Sequence, residues 1–239
     1  MGGGLKIIEW NIKHGGSERR IPGILDAIRS HDADIVVLTE FRIERQESLI
    51  KGFQDLGYSH FISSDPAPRT NGILIASRSK LVPIGSSYAE VGVKQKWLEI
   101  EVVEGQFRLL CLHVPGAGDG WGKEAFWRSV IVYAKDHLND RALMIGDFNT
   151  GLGIDAQGTP FKLSNYMIDL LDLGWADVWR EVNPDKREYS WFSNSGNGFR
   201  LNYLYASKSA RDGVKEVELS HTEREDGLSD HSLLIVRIS

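Results

Sequence analysis

ALMIGDFN (142–149) sets an apolar run of strand length directly against a Gly-Asp-Phe-Asn turn. By itself that turn is ordinary, since Gly, Asp and Asn favour turns. Its weight comes from repetition of the arrangement on either side. LKIIEW (5–10) runs into Trp10-Asn11, DIVVLTE (34–40) closes on Glu40, and FRLLCLHV (107–114) carries His113 near its end. SLLIVRI (232–238) is preceded by Ser229-Asp230-His231. GILIAS (72–77) and WLEIEVV (97–103) add two further runs of the same type. All are short, rich in Val, Ile and Leu, and bounded by turn residues, which predicts strands.

Amphipathic segments lie between them. IPGILDAIRSH (21–31) spaces Ile21, Ile24, Leu25 and Ile28 at helical intervals, with Pro22 suited to a first turn. KEAFWRSVIVYAKDHL (123–138) and SNYMIDLLDLG (164–174) predict two more helices, the latter stopped by Gly174. Strands alternating with helices predict an α/β fold. The neighbours 97–103 and 107–114, joined through Glu104-Gly105, predict a hairpin and therefore a mixed sheet. With no repeat and no linker, residues 5–239 are expected to form a single domain, preceded by a flexible or tag-derived 1–4.

The chain has 239 residues, 41% of them hydrophobic and 26% charged, enough for a sizeable core and too apolar for global disorder. Its net charge of −5 argues against a broad basic nucleic-acid face, though not against a local basic rim around a carboxylate site. The single cysteine, Cys111, sits in LLCLHV and reads as a core residue. No positively charged leader precedes an apolar run at the N-terminus and no stretch is long enough to span a membrane, so a soluble, cytoplasmic monomer is expected.

Asn11, Glu40, His113, Asp147, Asn149, Asp230 and His231 all fall at strand ends, where α/β sheets collect ligands. Singly, each reads as a solvated rim residue or a turn. Together they form the set that phosphoester hydrolysis requires. Hard oxygen ligands such as Glu40 and Asp230 suit Mg²⁺ or Mn²⁺. A carboxylate or imidazole can orient the attacking water, and Asn or His can donate to crowded phosphate oxygens.

GDFN (146–149) and SDH (229–231), in order after TE (39–40) and WN (10–11), resemble the endonuclease/exonuclease/phosphatase superfamily along the whole chain. The resemblance implies a four-layer α/β sandwich, two mixed β-sheets face to face with helices outside. It implies a metal and phosphate side at Asn11 and Glu40, with Glu40 the principal ligand and Asp230 near the metal or beside His231. Asp147 would orient or deprotonate water, Asn149 would bind phosphate, and His231 would contact the scissile phosphate. Which of Asp147 and His231 is the base stays open. His113, in LHVPG, resembles the deoxyribonuclease I and phosphatase branches rather than the abasic-site branch. One position departs from the family. The segment 189–207 resembles one ending Arg-x-Asp-Tyr, and Asn202 stands where the Asp partner of the histidine belongs. An amide implies a less basic His231 and a weakened catalyst. Asn202 is compatible with either a natural residue or an inactivating substitution.

Arg42, Arg69, Asn71, Lys123, Arg128 and Arg200 are candidate phosphate contacts, and Trp121, Trp127, Trp191 and Phe192 candidate base-stacking groups. Core packing is the favoured reading for Trp127. Short loops predict a shallow, accessible cleft. The functional expectation is a Mg²⁺ (or Mn²⁺)-dependent nuclease acting on DNA with little sequence preference, DNA being favoured over RNA. The alternative is a phosphatase or phosphodiesterase of a small molecule or lipid headgroup. A non-catalytic binding module is the third reading, which the retained carboxylates and His231 oppose.

Overall fold

The computed structural model describes residues 4–85, 88, 93–116 and 122–239. Its core is a pair of mixed sheets, each six-stranded among the described residues. The first sheet runs β13 (Val214–Ser220), β14 (Leu233–Ile238), β1 (Leu5–Asn11), β2 (Ile35–Phe41), β4 (Gly72–Ser77), β3 (His60–Ser63). The second runs β5 (Leu81–Ile84), β6 (Trp97–Val102), β7 (Phe107–His113), β8 (Ala142–Asp147), β12 (Asn202–Ala206), β9 (Ala176–Asp177), and β10 (Trp191–Phe192) and β11 (Gly198–Phe199) form a separate antiparallel pair. β1 and β2 pair in parallel, as do β7 and β8, while their outer neighbours are antiparallel. The predicted hairpin is β6–β7, with Trp97 opposite Leu112 and Val102 opposite Phe107.

Two-residue periodicity assigns each central strand one face to the other sheet and one to the helices. Ile7, Ile35, Val37, Ile73 and Ile75 of the first sheet meet Ile100, Leu109, Cys111, Leu143, Ile145 and Leu204 of the second between the sheets. On the far side of the first sheet, Ile8, Trp10, Val36, Leu38 and Leu74 pack on α1 (Ile21–His31) and α2 (Gln46–Asp55) through Ile24, Ile28, Leu49 and Phe53. On the far side of the second, Leu110, Leu112, Met144, Tyr203 and Tyr205 pack on α3 (Gly122–Asp136) and α4 (Asn165–Asp172) through Phe126, Trp127, Val130, Tyr133, Met167 and Leu170. The order helix, sheet, sheet, helix is the four-layer α/β sandwich. Burying such aliphatic side chains contributes about 1.5–3 kcal/mol each, and strands covered on both faces explain why the runs are almost continuously apolar.

No helix among the described residues is long and apolar enough to cross a membrane. Cys111 is fully buried in the inter-sheet core.

Candidate active site

The inner faces of both sheets turn polar at one end. Along β1 the inward series is Leu5, Ile7, Glu9, Asn11; along β2 it is Ile35, Val37, Thr39; along β7, Leu109, Cys111, His113; along β8, Leu143, Ile145, Asp147. Register aligns these ends. Asn11 lies beside Thr39, His113 beside Asp147, and Asn202 beside Asp147. Because β14 is antiparallel to β1, the Ser229-Asp230-His231 segment that precedes it arrives at the same end.

Asn11 is the hub. Its Nδ2 donates to Asp147 Oδ2 at 2.9 Å and to Glu40 Oε1 at 3.3 Å, and lies 3.5 Å from His231 Nε2. Its Oδ1 accepts from Lys13 N at 2.9 Å. As arranged, Asn11 bridges the two carboxylates as a donor, and its oxygen accepts from Lys13 N beside the expected metal side. Asp147 is buried, and its Oδ1 accepts from Asn149 N at 2.9 Å. His231 Nε2 lies 3.8 Å from Asp147 Oδ2, and His231 Nδ1 meets Asn202 Oδ1 at 3.0 Å. Behind them Asn202 Nδ2 donates to Glu9 Oε2 at 2.8 Å and Thr39 Oγ1 to Glu9 Oε1 at 3.0 Å. Burial pushes the Glu9 carboxyl up to about 8, opposed by the Asn202 bond and reinforced by the charge of Asp147.

Glu40 sits in a bulge of β2, between Thr39 and Phe41, at φ +55°. Asn149 is likewise left-handed, at φ +46°. Neither is glycine, and such backbone conformations cost of order 1–3 kcal/mol each, a strain that collects at functional sites. The bulge re-aims the Glu40 carboxylate, which accepts from His14 N at 2.8 Å and stands 3.1 Å from His14 Nδ1 and 3.9 Å from His113 Nε2. Asp230 pairs with Lys13 Nζ at 3.2 Å and lies 3.5 Å from Trp191 Nε1. Burial raises its pKa, but the His231 charge and the Lys13 bond outweigh burial and hold it below the usual carboxylate value.

Glu40, Asp147, Asn149, Trp191, Asp230 and His231 line a cavity of about 1000 Å³ together with Lys123, Lys162, Phe161, Leu163 and Phe199. Residues 159–163 all contribute to this lining.

The sequence pattern of the Endonuclease/Exonuclease/phosphatase family matches residues 8–231, from β1 to His231 itself. The chain belongs to this family. It is similar to an exodeoxyribonuclease of Bacillus subtilis (strain 168), 21% identical over 241 residues, 90% of this chain and 93% of that one. In fold it is similar to an AP endonuclease from Archaeoglobus fulgidus (19% identity, TM-score 0.84, covering 98% and 99% of the two chains). A variant of the 3′ phosphatase NExo from Neisseria, bound to product DNA hairpin, superposes equally well, at 21% identity and TM-score 0.84 over 98% and 99%.

Against the family arrangement, several expected contacts fall elsewhere. Arg200 is corrected outright: it is buried, its guanidinium paired with Asp155 at 2.8 Å and with Asp177, so it closes an internal ion cluster and offers nothing to substrate. Arg42 and Asn71 do not line the cavity. Arg42 Nε donates to Asn71 Oδ1 at 2.9 Å, and Asn71 Nδ2 lies 3.3 Å from His14, so they back the Glu40 side through His14. Arg128 stands on the rim, paired with Glu124, and Arg69 is exposed, its backbone N–H on Glu44. Trp127 is fully buried and stacks on Tyr166, as core packing requires. Phe192 is exposed beneath Arg224, and Trp121 lies outside the described residues. Sequence reasoning missed Lys13, His14, Phe161 and Phe199, and above all Glu9 and Arg20. Arg20 clamps the loops around the site by donating to the carbonyls of Ile12, Lys13 and Leu228. The only signal for Glu9 was a charge at an inward phase of an apolar strand.

Proposed function

We propose that the protein is a metal-dependent phosphodiester hydrolase acting on DNA as a nuclease of low sequence specificity. The observation that carries this reading is the convergence of Glu40, Asp147, Asn149, Asp230 and His231 on one cavity that aromatic and cationic side chains also line. Phosphate meets the polar groups; Trp191, Phe161 and Phe199 offer faces for sugar or base, and Lys123, Lys162 and Arg128 give the cavity local positive character in a chain of net charge −5. The exodeoxyribonuclease relative and the DNA-bound Neisseria structure support the same substrate class.

The donor set fits Mg²⁺ or Mn²⁺. Among the described residues no three His, Cys, Asp or Glu side chains gather into a closed cage; a hard ion that keeps its waters needs only one or two carboxylates, and Glu40, with Asp230, faces the open cavity. Bound there, the metal would neutralise phosphate charge and polarise the phosphorus–oxygen bond. The chain's own groups do the rest. Asp147, fixed by Asn11 and Asn149, orients water, and His231 Nε2 holds a proton-transfer position beside it. Water adds to phosphorus, the bond to the leaving oxygen breaks, and the proton that this pair takes from the water is returned from the pair to the leaving oxygen.

The volume of the cavity, about 1000 Å³ and within the range of small-ligand cavities, favours a second reading as a phosphatase of a compact phosphoester. The two separate on a panel of end-labelled and internally labelled duplex DNA beside small phosphomonoesters and diesters, with Mg²⁺ and with EDTA. Cleavage confined to DNA supports the nuclease; phosphate release confined to small esters replaces it.

A further inference from the structure

Behind His231 stands an acid to which the proposed reaction gives no role. Glu9 is fully buried, and among the described residues its carboxyl meets only neutral donors, Thr39 Oγ1 at 3.0 Å and Asn202 Nδ2 at 2.8 Å. No Lys, Arg or His among the described residues pairs with it. An aliphatic residue at this inward position would continue the inter-sheet core, and a buried acid without a cation is costly, so its presence calls for a gain elsewhere.

The gain lies in the orientation of an amide. An Asn side chain has one accepting end and one donating end. In the observed arrangement Glu9 Oε2 takes the donating end of Asn202, which turns Oδ1 toward His231 Nδ1 at 3.0 Å. An oxygen accepts, so Nδ1 carries the hydrogen, and in the neutral ring Nε2 keeps the lone pair. A second amide, anchored independently, is compatible with the same tautomer. Lys13 N fixes Asn11 Oδ1 at 2.9 Å, so the Asn11 atom 3.5 Å from His231 Nε2 is Nδ2, which gives an Nε2 hydrogen no acceptor. We propose that Glu9 is a positioning residue that orients the Asn202 amide and thereby holds His231 in the Nδ1–H tautomer, with Nε2 free to act in the cleft. A carboxylate at position 202 would accept through either oxygen and need no such anchor; an amide does. Asn202 and Glu9 are on this account one unit, and Asn202 is a working residue rather than an inactivating one.

The inference rests on the reading of His231 as a reacting group, and its test separates the two. Long-range proton–nitrogen NMR reads the tautomer directly, with His231→Ala identifying the signal among the seven histidines. The native chain and Glu9→Gln, whose amide oxygen can still accept from Asn202, should show Nδ1–H. Glu9→Leu, or Glu9→Ala if the former does not fold, should lose it. In DNA cleavage Glu9→Leu should lower kcat about 10- to 100-fold with little change in KM, a fraction of the about 10⁴-fold loss known for a wrong tautomer. In an Asn202→Asp background the same change should cost less than about threefold, because the amide is gone. An unchanged tautomer in Glu9→Leu, or an equal loss of kcat in both backgrounds, overturns the proposal. A chain that cleaves no phosphoester leaves the tautomer result to decide it.

Discussion

In GFRLN an arginine that grips phosphate and one that neutralises the interior look alike; only Asp155 and Asp177, distant in sequence, decide that Arg200 is the second kind. Removing one member of such a cluster leaves buried charge uncompensated, so Arg200→Leu should cost about 3–5 kcal/mol in urea denaturation. The cluster also sets an acid limb. Burial raises the Asp155 carboxyl, but Arg200 and Arg180 more than offset it, so its folded value lies below the ordinary 3.8. A depressed carboxyl contributes stability that is present above its unfolded value and lost as pH falls through the folded one. Stability should therefore drop below about pH 4, and Asp155→Asn, destabilised at neutral pH, should show a shallower drop in thermal melts. Glu40→Gln should weaken Mg²⁺ binding at least about tenfold in calorimetric titration; an unchanged isotherm removes Glu40 from the metal side. Most site residues were legible because each ends an apolar run. Glu9 and Arg20 were not, since a lone charge inside a strand or a polar loop carries no sign of the carbonyls and amides it will meet.

At the scale of elements, the period of two did most of the positioning. Once Ile7, Val37, Cys111 and Ile145 face the opposite sheet, Glu9, Asn11, Thr39, His113 and Asp147 must follow them inward. The buried central strands β1, β2, β4, β7, β8 and β14 were legible for this reason. The edges were less so: β5 contains Pro83, tolerated because an edge strand has an unpaired side, and β13 alternates charge with Val217 and Leu219. α2 hides its single face of Leu49 and Phe53 among polar residues and Gly52. Gly146 in GDFN has a structural reason distinct from turn preference. Its φ is +149°, and a Cβ there would come within 1.9 Å of Leu112 O on β7. Gly146→Ala should force β7 and β8 apart and cost about 3 kcal/mol or more, measured by denaturation.

For the whole molecule, neither sheet holds the site alone. The first sheet and its flanking loops supply Asn11, Glu40, Asp230 and His231; the second supplies His113, Asp147, Asn149 and Asn202, and the contact between them runs through Asn11–Asp147 and His231–Asn202. Sandwich packing and site assembly are thus the same event. Residues 159–163, between the GDFN turn and α4, add to the lining of the cavity. The most direct test is nicking of supercoiled plasmid by the native chain and by His231→Ala, each with Mg²⁺ and with EDTA. The account predicts Mg²⁺-dependent nicking by the native chain, none with EDTA, and a rate at least about 100-fold lower for His231→Ala with its melting unchanged. No nicking by the native chain with Mg²⁺, or equal nicking by His231→Ala, would contradict it.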